Sequence, residues 1–333
     1  MLQPTDRVIP LVPQTSGTVT PAALAAGWPR TLAVSPGLGL VAAGYCPVQP
    51  DGAGFVQVWN ASDGAWLASA EASSGALSLA FSPDGRALAV GSLFGADLWR
   101  PMDASEPVDL PGEPDMTPFG SSLSFTADGT TLGTLQDNGE VLLWPLAGAD
   151  RAAPGRPSKH PVIPDDLRTG YLGFAFNPDG STATLLVRHG DEGTRLTTWN
   201  PATGEKTHRD VAGDSFSHAY SPDGRTIATA GDEVQLWDAK SSRGPWAKWA
   251  PQHAGTEFEF TAVHFTHSGT YLLASSWDGG LYLFTAKDGK PVTMCPSGAK
   301  SIHSARFLPN DTGIAYCGAT ADGRFGAWLR LFA

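Results

Sequence analysis

The sequence predicts an all-β fold, a seven-bladed β-propeller made of four-stranded antiparallel blades, and three observations support this prediction. The five-residue pattern "FSPDG" at 81–85 recurs in related forms along the chain. The copies lie 42 to 51 residues apart, which is the spacing of propeller blades. Only 17% of the residues are charged, whereas Gly (39) and Pro (27) are frequent, as expected for many short strands joined by tight turns.

Seven units result when the chain is aligned on the residue that opens each copy, here called the plug position. The plug residues are, in chain order, Val34, Phe81, Phe125, Phe176, Tyr220, Phe265 and Phe307. We expect one domain, with an N-terminal segment at 1–29 and seven blades. The predicted blades lie near residues 30–71, 73–113, 119–154, 171–213, 214–250, 258–298 and 300–333.

Each unit repeats the same order of strands and turns. An apolar alternation such as "LSLAF" precedes the turn, a β run such as "RALAVGS" follows it, and a third strand carries an aromatic residue, as in "FVQVWN". In the turn, Pro sets the first corner, Asp bonds back to nearby backbone and Gly supplies a positive φ. The plug residue and the aromatic residue of the third strand are therefore expected to pack between blades.

The third strand of the fifth unit carries a family resemblance. The stretch "VQLWDAKSSRG" (Val234 to Gly244) resembles the Trp-Asp signature of the WD-repeat (WD40) β-propellers, and the resemblance extends over almost the whole chain. The repeats are degenerate, since the Trp-Asp signature survives only at Trp237-Asp238 and the Gly-His dipeptide that usually opens a repeat is absent. This predicts blades held mostly by apolar packing rather than by the buried polar network of better-conserved repeats.

The two ends of the chain predict how the ring closes. The seventh unit ends at "WLRLFA" without a fourth strand, and the N-terminal "DRVIPLV" is a β-like run with no blade of its own. The N-terminus is therefore expected to supply the missing strand, as the resemblance also implies. Pro10 is acceptable there because an outermost strand has an unpaired edge.

Charge and composition exclude several classes of function. A formal net charge of −11 disfavours binding to nucleic-acid backbones or anionic membranes. The N-terminus lacks the apolar core of a signal peptide, and no stretch approaches the length of a membrane-spanning helix, so we expect a cytoplasmic protein. Cys46, Cys295 and Cys317 show neither CxxC nor Cys/His spacing, so no disulfide, metal site or cofactor is expected.

The WD-repeat resemblance implies that partners bind on the face formed by the connections between blades and by the turns between second and third strands. Four long insertions are candidate recognition sites on a rigid scaffold. The alternative is that they are tolerated surface insertions. They lie at Gly44 to Phe55, Pro154 to Tyr171, Arg188 to Arg195 and Ser241 to Phe260. From the first three we select Tyr45, Arg168 and His189 as binding candidates.

Tryptophans outside the repeat pattern are further binding candidates. Trp246 and Trp249 flank Lys248 and would anchor a partner if exposed, or else cover the outer edge of blade 5. Trp277 and Asp278 occupy the turn between the second and third strands of blade 6, where Asp278 alternatively serves ordinary turn chemistry.

Comparison of equivalent positions in the innermost strands reveals a polar sector. The residue before the plug is small in five units but is His264 and Arg306 in the sixth and seventh. His218 lies two residues before the plug of the fifth unit, and His303 lies four residues before the plug of the seventh. These four side chains are predicted to line one side of the channel, either to bind a small anion or carboxylate or as a neutral, water-filled wall.

The function predicted first is a non-catalytic scaffold or adaptor for protein or peptide partners. In bacteria, similar propellers are often fused to kinase, protease or NTPase domains, so any effector of this chain is expected to be a separate polypeptide. The alternatives are a small-molecule sensor and a propeller enzyme of the hydrolase, lyase or cyclase type. The chain has no GxSxG or HExxH motif, and a catalytic site would have to use His218, His264 and His303 for acid–base work and Arg306 for anion stabilisation.

Overall fold

A computed structural model provides the structure, with strands arranged in seven separate sheets. The structure describes residues 4–16, 19–20, 23–24, 27–47, 53–72, 74–92, 95–103, 105–110, 119–136, 138–147, 153–163, 171–188, 193–250 and 258–332.

Each sheet is an antiparallel blade, and in five of them four successive strands run in order from the innermost strand at the channel to the outermost. In blade 3 the outer position is divided between two short strands that both pair with the third strand. The strands of blades 1 and 2 are Gly27–Ser35, Leu40–Pro47, Gly54–Asn60 and Trp66–Ala72, then Ser78–Phe81, Leu88–Gly91, Ala96–Trp99 and Val108–Asp109. Those of blades 3 and 4 are Phe119–Phe125, Thr131–Gln136, Glu140–Ala147, Ala153–Pro154 and Ser158–Pro161, then Tyr171–Phe176, Ala183–Arg188, Thr194–Trp199 and Lys206–Val211. Those of blades 5 and 6 are Ser215–Tyr220, Thr226–Gly231, Val234–Asp238 and Ala247–Trp249, then Phe260–Phe265, Tyr271–Ser276, Gly280–Thr285 and Pro291–Pro296.

Blade 7 combines both ends of the chain. Its three inner strands are Ser301–Phe307, Gly313–Ala319 and Phe325–Phe332, with a 3-10 turn at Pro309–Asp311. Its outermost strand is Pro4–Leu11, which runs antiparallel to Phe325–Phe332. The predicted all-β, seven-bladed propeller closed by the N-terminal strand is confirmed.

The chain beyond the closing strand also ties blade 7 to blade 1. The Gln14 amide N–H donates to Gln57 Oε1 at 2.8 Å, and Gln57 Nε2 donates back to the Gln14 carbonyl at 2.6 Å. The Trp59 indole N–H donates to the Val12 carbonyl at 3.3 Å. Because Gln57 and Trp59 are both fully buried, these bonds fix the segment against the third strand of blade 1.

The Pro-Asp-Gly hairpins have the predicted geometry. In blade 5, Asp223 Oδ1 accepts from Ser221 Oγ at 2.6 Å and from the Arg225 amide at 3.1 Å. Gly224 follows with a φ of +68°. A side chain there would be doubly unfavourable, because its Cβ would also overlap Asn177 Oδ1 of blade 4. The turn therefore needs Gly both for its φ and for the close approach of two blades.

Apolar side chains fill the spaces between blades. The buried residues form seven clusters, and each cluster joins two neighbouring blades. The third-strand tryptophans are central to them: Trp59, Trp144, Trp199 and Trp237 are at most 2% exposed. Trp237 also donates its indole N–H to Thr229 Oγ1 at 3.1 Å. Apolar packing between blades, as expected from the degenerate repeats, is thus the main contact that holds the ring.

Two faces follow from this topology. The hairpin face carries the connections from innermost to second strand and from third to outermost strand. The loop face carries the turns from second to third strand and the connections between blades.

Candidate functional site

The innermost strands of all seven blades surround an axial channel of about 590 Å³. Besides the Tyr220 phenol, its titratable lining residues, within the described part of the chain, are Arg30, His218, His264, His267, His303 and Arg306. All six are bases, and no Asp or Glu is found among the described lining residues. A chain with a net charge of −11 therefore surrounds a channel whose polar wall is basic.

The position before the plug gives the channel one polar side. Five blades place a small residue there, namely Ala33, Ala80, Ser124, Ala175 and Ala219. Blades 6 and 7, which are neighbours, place His264 and Arg306 there, and both line the channel. The large basic side chains therefore project from one side of the channel towards small residues across it.

Arg306 has no acidic partner among the described residues. Its Nη1 donates to the Ala305 carbonyl at 3.0 Å and, weakly, to Ser304 Oγ at 3.4 Å, and both acceptors are neutral. The side chain keeps some exposure to the channel, although protein surrounds it there. Burial lowers the pKa of Arg306 to about 10, against an opposing effect of the Cys317 sulfur, so the guanidinium remains charged at neutral pH.

His264 lies beside this cation. Burial first, and then the charges of Arg306 and His267, hold the pKa of His264 well below its usual value. Its imidazole is therefore neutral at pH 7. A neutral ring beside a guanidinium offers a hydrogen-bond donor without adding a second charge.

His218 lies deeper in the channel wall, in blade 5. Neither ring nitrogen makes a hydrogen bond of acceptable geometry, and both nitrogens are buried. Burial lowers the pKa of His218 to about 4, although the Thr184 backbone is near enough to oppose this slightly. The ring fits because blade 4 has Gly173 opposite, where a Cβ would lie 2.7 Å from His218 Nδ1.

A β-bulge directs further side chains towards the loop-face mouth of the channel. In five blades the ladder between the innermost and second strands skips the residue four before the plug. The skipped residues are Arg30, Leu172, Phe216, Thr261 and His303. Bulges often redirect side chains at the rims of closed sheets, and here the bulge in blades 1 and 7 places Arg30 and His303 at the mouth.

His303 is the centre of an aromatic cluster on the loop face. Its ring contacts Trp28 and Trp277 edge-on, with centroids 5.4 and 5.3 Å apart, and Phe325 at 6.1 Å. The guanidinium of Arg30 lies 5.6 Å from the Trp28 ring. We call Trp28, Arg30, Trp277, His303 and Phe325 the aromatic cluster. It draws on blades 6, 7 and 1.

The ring of His303 has a fixed orientation within this cluster. Its Nδ1 lies 2.9 Å from the Pro29 carbonyl, and because a carbonyl only accepts, Nδ1 carries the proton. Burial and the charge of Arg30 lower the pKa of His303, whereas this hydrogen bond raises it. His303 therefore lies at the loop-face mouth of the channel. His264 and Arg306 occupy the position directly before the plug, which is three residues further along the innermost strand than the position of His303.

The structure separates the roles of Trp277 and Asp278. Trp277 is 46% exposed, as is Phe325, and these two rings are the exposed aromatic members of the cluster. The Asp278 carboxylate serves its own turn: it accepts from Ser276 Oγ, from the Gly280 amide at 3.0 Å and from the Tyr282 hydroxyl at 3.2 Å. Asp278 therefore positions the turn that presents Trp277.

The pair Trp246 and Trp249 is divided as well. Trp249 is half-buried and packs between blades 5 and 6, on Phe260, Tyr282 and Phe284 at 5.1 to 5.8 Å. Trp246 is 44% exposed and lies on the hairpin face. There it borders a second cavity of about 410 Å³ between blades 5 and 6.

Three other predicted binding residues gain no support as surface sites. Tyr45 is 3% exposed and stacks on Phe55 at 4.4 Å, so its burial argues against the predicted contact with a partner. The alternation of the second strand turns this ring into the core rather than into the adjoining loop. Arg168 and His189 lie outside the described residues.

The sequence reasoning missed Trp28, Arg30, His267 and Phe325. A signal existed for Arg30, which occupies the same position, four before the plug, as His303. No such signal existed for Trp28 or Phe325, because neither belongs to a recurring position. Their contact depends on the closure of the ring.

Metal binding finds no support in the described part of the chain, where no group of three or more His, Cys, Asp or Glu side chains is close enough to hold an ion. The three cysteines are buried free thiols. The described residues contain no helix that is long and apolar enough to cross a membrane.

Comparisons with known proteins agree with the architecture. Residues 251–285 match the family model "WD domain, G-beta repeat". Among solved structures, the "Crystal structure of RRP9 WD40 repeats" is similar over 100% of this chain and 99% of that chain, with a TM-score of 0.76 and 12% sequence identity. No curated protein sequence matches the chain significantly. The chain therefore has the fold of a seven-bladed β-propeller, similar in architecture to a solved set of WD40 repeats, and one segment of it matches the WD repeat model.

Proposed function

We propose that this propeller is a protein-interaction scaffold that binds a peptide segment of its partner on the loop face, at the aromatic cluster. WD40 propellers typically bind protein partners, and the fold is shared. The observation that carries the proposal is the joint exposure of Trp277 and Phe325, 46% each, both in contact with the ring of His303.

The cluster has the composition of an interaction hot spot. Such sites are enriched in Trp, Tyr and Arg and are surrounded by groups that exclude water. Trp277 and Trp28 supply wide apolar surfaces on a rigid support, so little conformational entropy is lost on binding. Arg30 is exposed beside them. The partner segment is therefore expected to carry an apolar or aromatic side chain next to a carboxylate.

A catalytic activity is not proposed, because no observation favours one. The described residues that line the channel place no carboxylate beside His218 or His264, and general-base catalysis by histidine usually requires an orienting partner. We also propose the cytoplasm as the location, because Cys46, Cys295 and Cys317 are free thiols rather than a disulfide framework.

A displayed peptide library tests the binding site. Peptides that bind the wild-type protein are selected and their affinities measured by fluorescence anisotropy. Trp277→Ala and Phe325→Ala are expected to weaken binding about tenfold or more, as for hot-spot side chains. Trp246→Ala is a matched control, since Trp246 is equally exposed (44%) but lies on the opposite face.

The reverse pattern of affinities would contradict this site. If the selected peptides lose affinity with Trp246→Ala and keep it with Trp277→Ala, the partner binds the hairpin face. Melting temperatures near that of the wild type confirm that the variants fold, which is expected because both side chains are largely exposed.

A further inference from the structure

We propose that the channel also binds a small oxyanion, a carboxylate or a phosphate group, held by Arg306 with His264 on the side formed by blades 6 and 7. This site lies in the channel and differs from the aromatic cluster in residues and in ligand. The inference goes beyond the scaffold function and does not depend on it.

No described carboxylate compensates the charge of Arg306. A buried cation is costly unless an opposite charge or a full set of hydrogen bonds compensates it. Among the described residues, Arg306 bonds to the Ala305 carbonyl and, weakly, to Ser304 Oγ, and to no carboxylate. Most of its five N–H groups thus remain available, and a guanidinium presents them in the geometry that fits a carboxylate or phosphate.

Neutral hydrogen-bond donors, two histidine side chains, line the same channel in the neighbouring blades. His264 is the neighbour of Arg306 in the equivalent position of the adjoining blade. His218 follows in the next blade, and its two ring nitrogens are buried and make no hydrogen bond of acceptable geometry with the described residues, although the Thr184 backbone is close. An imidazole with an unsatisfied N–H is able to donate to an anion that Arg306 holds.

The carboxylate of the blade 7 hairpin bonds to blade 6 and not to Arg306. Asp311 lies on the hairpin face and accepts from the His267 amide at 2.8 Å, the Ser268 amide at 3.2 Å and His267 Nδ1 at 3.4 Å. It therefore joins the hairpins of blades 6 and 7. Two arginines line the channel, Arg30 at its loop-face mouth and Arg306 further inside.

The channel also has room for a small ligand beside Arg306. The five small residues before the plug positions, from Ala33 to Ala219, leave the channel open opposite the two large ones. A volume of about 590 Å³ falls within the range of small-molecule sites, roughly 300–1,000 Å³. Room, a fixed cation and unsatisfied donors thus occur together, whereas no described acidic side chain lines the wall to repel an anion.

Isothermal titration calorimetry at constant ionic strength tests the site, with inorganic phosphate and malonate as the two probes. Either probe is expected to bind the wild type, and the stronger one identifies the preferred oxyanion. Arg306→Gln is expected to weaken binding about tenfold or more through loss of the charge-assisted bonds. Arg243→Gln, an exposed arginine of blade 5, is the control and should leave the affinity within about twofold.

A second readout keeps the test decisive if a variant folds poorly. In the wild type, phosphate or malonate is expected to shift the ¹⁵N resonances of the His264 and His218 imidazoles. Arg306→Met removes an uncompensated cation, so it should melt no lower than the wild type without anion and should lose the rise in melting temperature that the anion produces.

Two results would overturn the proposal. One is the absence of binding and of imidazole ¹⁵N shifts at about 10 mM of each probe, because a dissociation constant above about 10 mM would be too weak for a metabolite site. The other is unchanged affinity in Arg306→Gln. Both leave the peptide-binding proposal untouched, because that depends on Trp277 and Phe325.

Discussion

Single side chains decide the chemistry of this ring, because the strands that carry them are nearly alike. The residue before the plug is Ala or Ser in five blades, where it only fills space, and His264 or Arg306 in two. The backbone of the innermost strand is similar in each blade. Function is thus encoded by departures from a repeated position, and only those departures place basic groups on one side of the channel.

Asp97 provides a pH-dependent prediction at this scale. It lies directly opposite Asp109 on the third and outermost strands of blade 2. Burial, then a hydrogen bond with Asp109 and its charge, raise the pKa of Asp97 to about 7. Because this folded-state pKa lies above the unfolded value, the stabilisation is present below about pH 4 and is lost as the pH rises through about 7.

Asp97→Asn should therefore stabilise the protein at alkaline pH. We expect a gain of about 1–2 kcal/mol at pH 8 and little change at pH 4, less than the full pKa difference implies because solvent screens the pair. Urea unfolding at pH 4, 6 and 8 measures this. Glu71→Gln, an exposed acid on blade 1, serves as the control, and a variant with the pH dependence of the wild type would disprove the assignment.

Among the elements, the hairpins combine turn geometry with contacts between blades. Gly224 has a φ of +68°, and its Cβ position is occupied by Asn177 of the neighbouring blade. Gly204, in the turn between the third and outermost strands of blade 4, has a φ of +75° and open space around it. The two glycines thus share a backbone conformation and differ only in crowding.

Substitution of these glycines by Ala separates the two effects. Gly204→Ala should cost about 1 kcal/mol, the penalty for a side chain at positive φ. Gly224→Ala should cost about 1–3 kcal/mol more, since its Cβ must also displace Asn177. The free energy of unfolding in urea gives both values, and equal losses would show that the approach of the hairpins contributes nothing.

Strands and turns were predictable because each depends on residues near one another in the chain. The Asp223 bonds and the Gly224 turn follow from five consecutive residues. The fate of Trp246 and Trp249 was not predictable in this way. Only two residues lie between them, yet Trp249 packs against blade 6 and Trp246 borders a cavity on the hairpin face. Only the position of the neighbouring blade decides between these outcomes.

At the scale of the whole molecule, the sequence predicted the ring but not the site that its closure creates. The period counted seven blades, and the missing fourth strand indicated the closing strand. Trp28 and Phe325, by contrast, lie near opposite ends of the chain and contact each other at 6.1 Å only in the closed ring. The aromatic cluster is therefore a consequence of closure.

Closure itself is open to a direct test by deleting residues 1 to 14. The deletion exposes the edge of Phe325–Phe332 and removes the bonds to Gln57. We expect a fall in melting temperature of roughly 10 °C or more. A synthetic peptide of residues 4–16 should restore part of the loss, because it occupies the same edge.

The control is a change within the same strand that leaves its pairing intact. Val8 is 38% exposed, so Val8→Ser should alter the melting temperature by no more than about 2 °C. An unchanged melting temperature after the deletion would refute the closing role of this strand.

The pairing of Pro4–Leu11 with Phe325–Phe332 also constrains the order of events during synthesis. Residues 4–11 are synthesised before any of the seven blades, whereas their partner strand is synthesised only after the first six blades. The closing strand therefore waits, unpaired, while the blades form one after another, and the ring has two open edges until translation of the last strand is complete. A pairing this distant in the chain is expected to be a late and slow step of folding.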